Sequence, residues 1–288
     1  MRRLMLTRRD GSPLAGYLSD GDGPVLVLAN GLGGPVAAFR HQLAHFKNRF
    51  RVLTWDYRGL YGSRGAIPPA RVDISAQADD LEDLMTAAGA ATGVLVGWSM
   101  GVQVVLELSA RSPERASHLV LINGTSGRPL ERIRLPRAEL WLPTLIARAE
   151  AHHELGSRMI TRLVGSRATL NLVRRLGIVS PRLEAGELFA MADEFSQLDF
   201  QVYFRTLRAL ADHDRTLDLA RVTARTLVMT GARDPVFSPR VARRLAERLP
   251  GSELYVVPKA THYAPVEYPE LVNARIDAFL RGGSGRTD

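Results

Sequence analysis

Residues 94–105 read Val94-Leu95-Val96-Gly97-Trp98-Ser99-Met100-Gly101-Val102-Gln103-Val104-Val105, an apolar run broken by one hydroxyl held between two glycines. Its first half has the continuous apolar character of a strand covered on both faces, and its second half opens a segment of helical period, Met100 to Arg111. A serine at such a strand-to-helix turn takes a strained backbone conformation, and the flanking glycines remove Cβ atoms that would collide with neighbouring chain. The hydroxyl then stands above the sheet edge, where the following helix aims its free N–H groups and the positive end of its dipole. Gly97-Trp98-Ser99-Met100-Gly101 is a G-x-S-x-G segment with a strand before it and a helix after it, and it predicts a nucleophile at Ser99.

Working outward, short β-type runs alternate with longer helical segments, the pattern of a parallel sheet with helices on both faces. Strands are predicted at 4–8 and 15–18, an antiparallel edge pair around Asp10-Gly11, then at 25–30, 51–56, 94–98, 118–123, 226–230 and 253–257. Helices are predicted at 35–48, 74–88, 100–111, 239–249 and 269–281, with Asp73 in capping position, Gly89 as a stop and Pro239 as a start after Ser238. The alternation halts at Gly124 and resumes near Arg225. A loop of about a hundred residues is implausible, so the apolar residues recurring there at three and four spacing predict several amphipathic helices inserted between two strands. The tail from Gly282 reads as disordered. The fold class is α/β: a mostly parallel eight-stranded sheet, helices on both faces, and an inserted helical segment.

A serine at neutral pH is a poor nucleophile and needs a base that is itself held by a third group. Of the seven histidines, His41 and His45 lie on an early helix, His118 opens a strand, and His152, His153 and His213 lie in the insertion. His262 differs, because it follows the strand ELYVV and Pro258 in a short loop before the last helix, at the same carboxyl edge as Ser99. The run Leu227-Val228-Met229-Thr230-Gly231 ends another strand and delivers Asp234 to that edge as the acid. Asn123 ends the preceding strand, but an amide cannot stabilise an imidazolium by charge, so Asp234 is preferred. Asn30-Gly31-Leu32-Gly33-Gly34 ends the strand VLVLAN, and its glycines let the Leu32 N–H approach the serine. With the Met100 N–H it supplies two donors for an oxyanion, each worth about 3 kcal/mol of barrier.

Bulk composition narrows the remaining classes. At 288 residues, with 45% hydrophobic and 24% charged content, the chain can bury one sizeable core, or one core plus an inserted subdomain. It has no cysteine, which excludes disulfides, thiolate metal sites and a cysteine nucleophile. A formal net charge of +8 invites a nucleic-acid reading. The arginines are scattered through every segment, however, and only Lys47 and Lys259 are lysine, so no nucleic-acid partner is expected. One local excess remains, ten arginines against four glutamates between Arg128 and Gly177, and it admits a peripheral contact with an anionic lipid surface. Only four apolar residues precede Arg8 and Arg9, too few for a signal-peptide core, and no apolar run is long enough to span a membrane. A cytoplasmic location is the expectation. The Asp212-His213-Asp214 and His152-His153 clusters are read as solvated helix ends, with neither a metal nor an organic cofactor.

Taken together, NGLGG after the third strand, Trp55-Asp56-Tyr57-Arg58-Gly59 with Gly62-Ser63 after the fourth, GWSMG at the turn, TLVMTGARDPVF and ATHYAPVEYP resemble the α/β-hydrolase superfamily over essentially the whole chain. The order Ser99, Asp234, His262 is the order that family uses. The resemblance implies a core of residues 1–124 and 222–288 and a helical cap over 125–221 that roofs the site and selects the substrate. It implies acyl transfer on a small-molecule ester or related acyl compound, with Leu140, Trp141, Leu142, Leu145, Ile146, Met159, Ile160, Phe189, Phe195, Tyr203 and Phe204 offering apolar lining. Thioesterase, acyltransferase, lactonase, carbon–carbon bond hydrolase and cofactor-free haloperoxidase chemistry share the fold, as does a non-enzymatic receptor. Two departures stand out. Asn30-Gly31 replaces the family's common His-Gly, and Val102 replaces a glycine often found after the turn. Asp56 and Arg58 are read as loop ties outside the catalytic set.

Overall fold

Strand β3, Val25–Ala29, is buried at every residue, and its side chains divide by parity. Val25, Val27 and Ala29 join one apolar cluster, and Leu26 and Leu28 join a second on the opposite face. That division is what a strand between two helical layers requires. The computed structural model describes residues 1–66, 69–133, 135, 137–154, 157 and 166–282. It contains one eight-stranded sheet: β1 Arg2–Thr7, β2 Pro13–Leu18, β3, β4 Arg51–Trp55, β5 Gly93–Trp98, β6 Ala116–Ile122, β7 Arg225–Gly231 and β8 Glu253–Val257. The spatial order is β1-β2-β4-β3-β5-β6-β7-β8, antiparallel at the first two pairings and parallel elsewhere.

Helices α1 Arg40–Phe46, α2 Ile74–Ala87, α3 Met100–Arg111, α4 Ala138–Ala151, α5 Arg167–Arg175, α6 Ala185–Ser196, α7 Phe200–Asp212, α8 Pro239–Arg248, α9 Ala264–Glu267 and α10 Pro269–Leu280 follow in chain order. Among these, α2, α3 and α8 cover the first face through residues such as Leu81, Leu84, Val105, Leu108 and Leu245, and α1 and α10 cover the second through Phe46, Val272, Ile276 and Phe279. Each such side chain, fully withdrawn from water, contributes about 1.5–3 kcal/mol. Asp73 caps α2 by accepting the Ala76 N–H at 2.9 Å, worth about 1 kcal/mol, and Gly89 ends it at φ +67°. The helix predicted at 35–48 divides into a 3₁₀ turn, Val36–Phe39, and α1, because Phe39 turns into the second cluster and takes a non-helical φ of −100° and ψ of 15°.

Helices α4 to α7 lie between β6 and β7, where the sequence lacks strand signals. Apolar residues of the helices and of the connection between α5 and α6 pack onto the sheet layers: Phe200, Val202 and Leu210 in the first cluster, and Val179 and Leu183 of the connection with Met191 in the second. The outgoing and returning crossings meet, the Arg215 N–H donating to the Ser126 carbonyl at 2.7 Å. Glu107, buried in the middle of α3, anchors the return. Its carboxylate takes the Arg215 guanidinium on both oxygens and lies 2.9 Å from His213 Nε2, and Gln103 meets the other ring nitrogen. His213 is therefore one member of a largely buried polar network, and the expectation of a solvated helix end is corrected for it, while Asp212 and Asp214 are exposed. Met159, Ile160 and the tail beyond Gly282 lie outside the described residues. No helix among the described residues is long and apolar enough to cross a membrane.

Candidate active site

At the carboxyl ends of β3 and β5 the sheet order reverses, the place where an α/β sheet opens a crevice. Ser99 sits there between β5 and α3 with φ 55° and ψ −115°, a conformation costing an L-residue about 1–3 kcal/mol. Neighbouring chain enforces it. A Cβ on Gly97 would lie 2.5 Å from the Gly101 carbonyl oxygen, and one on Gly101 would lie 2.0 Å from the Ala29 oxygen. The sharp turn is possible only because both positions lack side chains. Val102, the departure from the family pattern, fills a notch at Gly124, where a Cβ would lie 2.4 Å from its methyl group. The bulk is thus accommodated by a second glycine at the end of the neighbouring strand.

The structure brings the three predicted side chains together. His262 Nε2 lies 2.9 Å from Ser99 Oγ, and His262 Nδ1 lies 3.0 Å from Asp234 Oδ2. Asp234 is fully buried and the His262 side chain is 12% exposed. The other Asp234 oxygen accepts the Val236 and Phe237 N–H groups at 2.7 and 3.0 Å, which fixes the carboxylate plane. A carboxylate at Nδ1 selects the tautomer whose Nε2 can accept a proton from the serine hydroxyl. The Trp98 indole N–H donates to the His262 carbonyl at 2.9 Å, and the Phe237 ring lies 5.9 Å from the imidazole.

Asn30 builds the glycine loop through its amide. Its Nδ2 donates to the Gly34 and Pro35 carbonyls at 3.0 and 2.6 Å, and its Oδ1 accepts the Gly31 N–H at 2.9 Å. The Tyr57 hydroxyl holds the Asn30 carbonyl at 2.6 Å, and the Tyr61 hydroxyl holds the Gly33 carbonyl at 2.7 Å. A Cβ on Gly31 would lie 3.3 Å from Ser99 Cβ, so the loop carrying Leu32 passes beside the serine. Met100 is the first residue of α3, and its N–H is one of the helix's unsatisfied donors. Above the loop sit α6 and α7. A Cβ on Gly33 would strike the Phe195 and Tyr203 rings at 2.7 and 2.9 Å. Burial, with the nearby Tyr263, pushes the Tyr203 hydroxyl up to about 12, which keeps it protonated.

Other expectations fare differently. Asp56 accepts the Tyr17 hydroxyl and the Gly62 N–H, and Arg58 meets both oxygens of Asp80 at 2.6 and 2.8 Å, so both residues are engaged in loop and helix ties. Leu140, Trp141 and Leu145 are 70%, 44% and 52% exposed on α4, turned to solvent, whereas Ile146 is buried. No group of three or more metal-ligating side chains occurs among the described residues. The parts played by Trp98 and Glu267 escape sequence reasoning, and Asn123, weighed there only as a place for the acid, supports the acid instead. Glu267 accepts the Thr261 N–H at 2.8 Å and its hydroxyl at 2.7 Å, fixing the His262 loop, and also the Ser180 N–H of the insertion at 2.6 Å. Asn123, at φ 50°, donates to Asp234 Oδ2 at 2.6 Å. Asparagine's tolerance of that backbone region at a strand end is the one sequence signal available.

The chain belongs to the α/β-hydrolase fold family, whose profile matches residues 24–269. A protein of a Caulobacter species with the provisional name carbamate hydrolase RutD is 31% identical over 91% of this chain and 92% of its own length. The 3-oxoadipate enol-lactonase 2 of Acinetobacter baylyi is 25% identical, with 96% of each chain covered. Among solved structures, a thermophilic esterase from Thermogutta terrifontis superposes with a TM-score of 0.75 at 22% identity, covering 98% of this chain and 99% of that one, a likeness of fold alone. These relatives support a hydrolase of this fold.

Proposed function

We propose that the protein is a serine hydrolase that cleaves a carboxylic ester or related acyl bond of a small, largely apolar substrate. The observation that carries this reading is the unbroken line of contacts from Ser99 Oγ through the His262 ring to Asp234, at 2.9 and 3.0 Å. Ser99 Oγ attacks the acyl carbon as its proton passes to His262 Nε2. Asp234 stabilises the imidazolium, and the Leu32 and Met100 N–H groups take the charge that develops on the carbonyl oxygen. The imidazolium then protonates the leaving alcohol. Water, giving its proton to the same nitrogen, attacks the acyl-enzyme, releases the acid and restores the serine hydroxyl.

Residues 125–221 act as the cap in this reading, with 1–124 and 222–288 as the core. Its support is the packing of Phe195 and Tyr203 on Gly33, which sets aromatic surface beside the reacting centre. A cyclic ester or a carbamate comes next within the same mechanism, favoured by the names of the two sequence relatives. A free small-molecule substrate in the cytoplasm fits a cysteine-free chain with dispersed arginines. The test is turnover of a series of p-nitrophenyl esters. Ser99→Ala is expected to lower kcat by more than about 10⁴-fold with an unchanged circular dichroism spectrum. Equal turnover by Ser99→Ala and the unaltered protein overturns the proposal.

A further inference from the structure

A cleft of about 360 Å³ opens where the inserted segment leaves and rejoins the core. The loop after β6 lines it with Thr125 and Ser126, Arg132 and Thr216 come from the two crossings, and α8 contributes Arg244 and Arg248. None of these three arginines has a carboxylate within ion-pair distance among the described residues, whereas Arg58, Arg115, Arg225 and Arg275 each have one. Glu247 also lines the cleft, and Asp214 accepts the Thr216 N–H at 2.8 Å; burial raises the Asp214 carboxyl, but the Thr216 hydrogen bonds and the charges of Arg128 and Arg132 outweigh it and hold it below its ordinary value. Three guanidinium groups thus outnumber the two nearby carboxylates.

The wall is shaped for close approach. A Cβ on Gly127 would lie 2.8 Å from the Thr216 hydroxyl, so the glycine leaves the space that hydroxyl occupies, and two Arg132 guanidinium nitrogens lie at ordinary contact distance, 3.7 Å, from the same point. Ser126 is 6% exposed, and its hydroxyl makes no hydrogen bond among the described residues. Thr125 Oγ1 accepts the Gly127 N–H at 3.3 Å and keeps its own proton to donate. Guanidinium forks and hydroxyl donors, with more positive than negative charge, suit the oxygens of a phosphate group.

We infer that this cleft binds a phosphate-class anion, either free phosphate or the phosphate end of a larger molecule, between Arg132 on the insertion side and Arg244 and Arg248 on the core side. The site is separate from Ser99 and stands whether or not Ser99 is a nucleophile. Occupation ties α8 to both crossings and so holds the insertion to the core.

The test is calorimetric titration of the full chain with inorganic phosphate and with phenyl phosphate, at fixed ionic strength. Saturable binding is expected for at least one of them, weakened about tenfold or more in Arg132→Gln and in Arg244→Gln. Arg243→Gln, on the same helix but outside the cleft, is expected to bind as the unaltered protein does. Tighter binding of phenyl phosphate assigns the site to a phosphomonoester, and tighter binding of inorganic phosphate assigns it to the free ion. The inference is overturned by the absence of saturable binding for both anions up to roughly 10 mM, or by affinities unchanged in Arg132→Gln and Arg244→Gln. An equal loss in Arg243→Gln, the mark of general charge attraction, overturns it as well.

Discussion

At Asp234 one carboxylate oxygen serves two neighbours, the His262 imidazole at 3.0 Å and the Asn123 amide at 2.6 Å. The amide is a second donor on that oxygen, so it helps settle where the imidazole points without adding charge. Asn123→Ala removes the donor and also a residue suited to a φ of 50°. A fall in kcat of about 10- to 100-fold is expected, the cost of slight misplacement of a reacting group, with KM changed less than threefold. A steady-state comparison decides it, and an unaltered kcat contradicts the role. This contact joins residues 111 positions apart, which explains why the sequence raised Asn123 only as a place for the acid and not as a donor to Asp234. Asp234 and His262 could be placed from the strands they follow. Asn123's role depends on the direction of a side chain across two strand ends, which periodicity does not encode.

Elements that carry their own start and stop signals were legible at nearly residue resolution. Helix α3 starts at Met100 and ends at Arg111 as read, because Gly97 and Gly101 leave the chain one way to turn, and α2 is bounded by Asp73 and Gly89. The inserted helices were legible as helices, but their lining only in part. Leu140, Trp141 and Leu145 fit an apolar stripe equally well whether it faces a cleft or solvent, and they face solvent. Phe195 and Tyr203, both read as lining, do meet the glycine loop, within a cluster with Phe200 and Phe204 whose rings pack edge-on or tilted at 5.3–6.2 Å between centroids. Gly33 is the point where α6 and α7 touch that loop, at φ +71°. Gly33→Ala is expected to cost about 1–3 kcal/mol through the strained φ and the collision with Phe195. It should also raise KM for ester substrates. Thermal unfolding and Michaelis analysis check both, and a variant with unchanged Tm and KM contradicts the contact.

Across the whole molecule, insertion and core are joined at Glu107. Burial by itself would raise this carboxyl, but hydrogen bonds from His213 and Arg215 and the charge of Arg215 outweigh it and hold the group at about 2, below its ordinary 4.5. A group lowered on folding adds stability above its unfolded value and loses it as the pH falls through the folded one. The advantage of the unaltered protein over Glu107→Gln should therefore be full above about pH 4.5, shrink on acidification, and vanish near pH 2. At neutral pH the difference is expected near 3 kcal/mol, the cost of breaking a buried pair. Chemical denaturation across that range measures it, and a difference that stays constant with pH contradicts the account.

Strand order, both helical layers and the meeting of Ser99, Asp234 and His262 all follow from how the chain places strand ends along one edge. The proposed chemistry follows only if the serine hydroxyl is activated there. Reaction with a fluorophosphonate followed by peptide mass spectrometry tests that activation without knowledge of the substrate. The account predicts a single stoichiometric adduct on Ser99, abolished by denaturation beforehand and strongly slowed in His262→Ala. Failure of Ser99 to react, or equal labelling of Ser99 in the native and the unfolded chain, contradicts it.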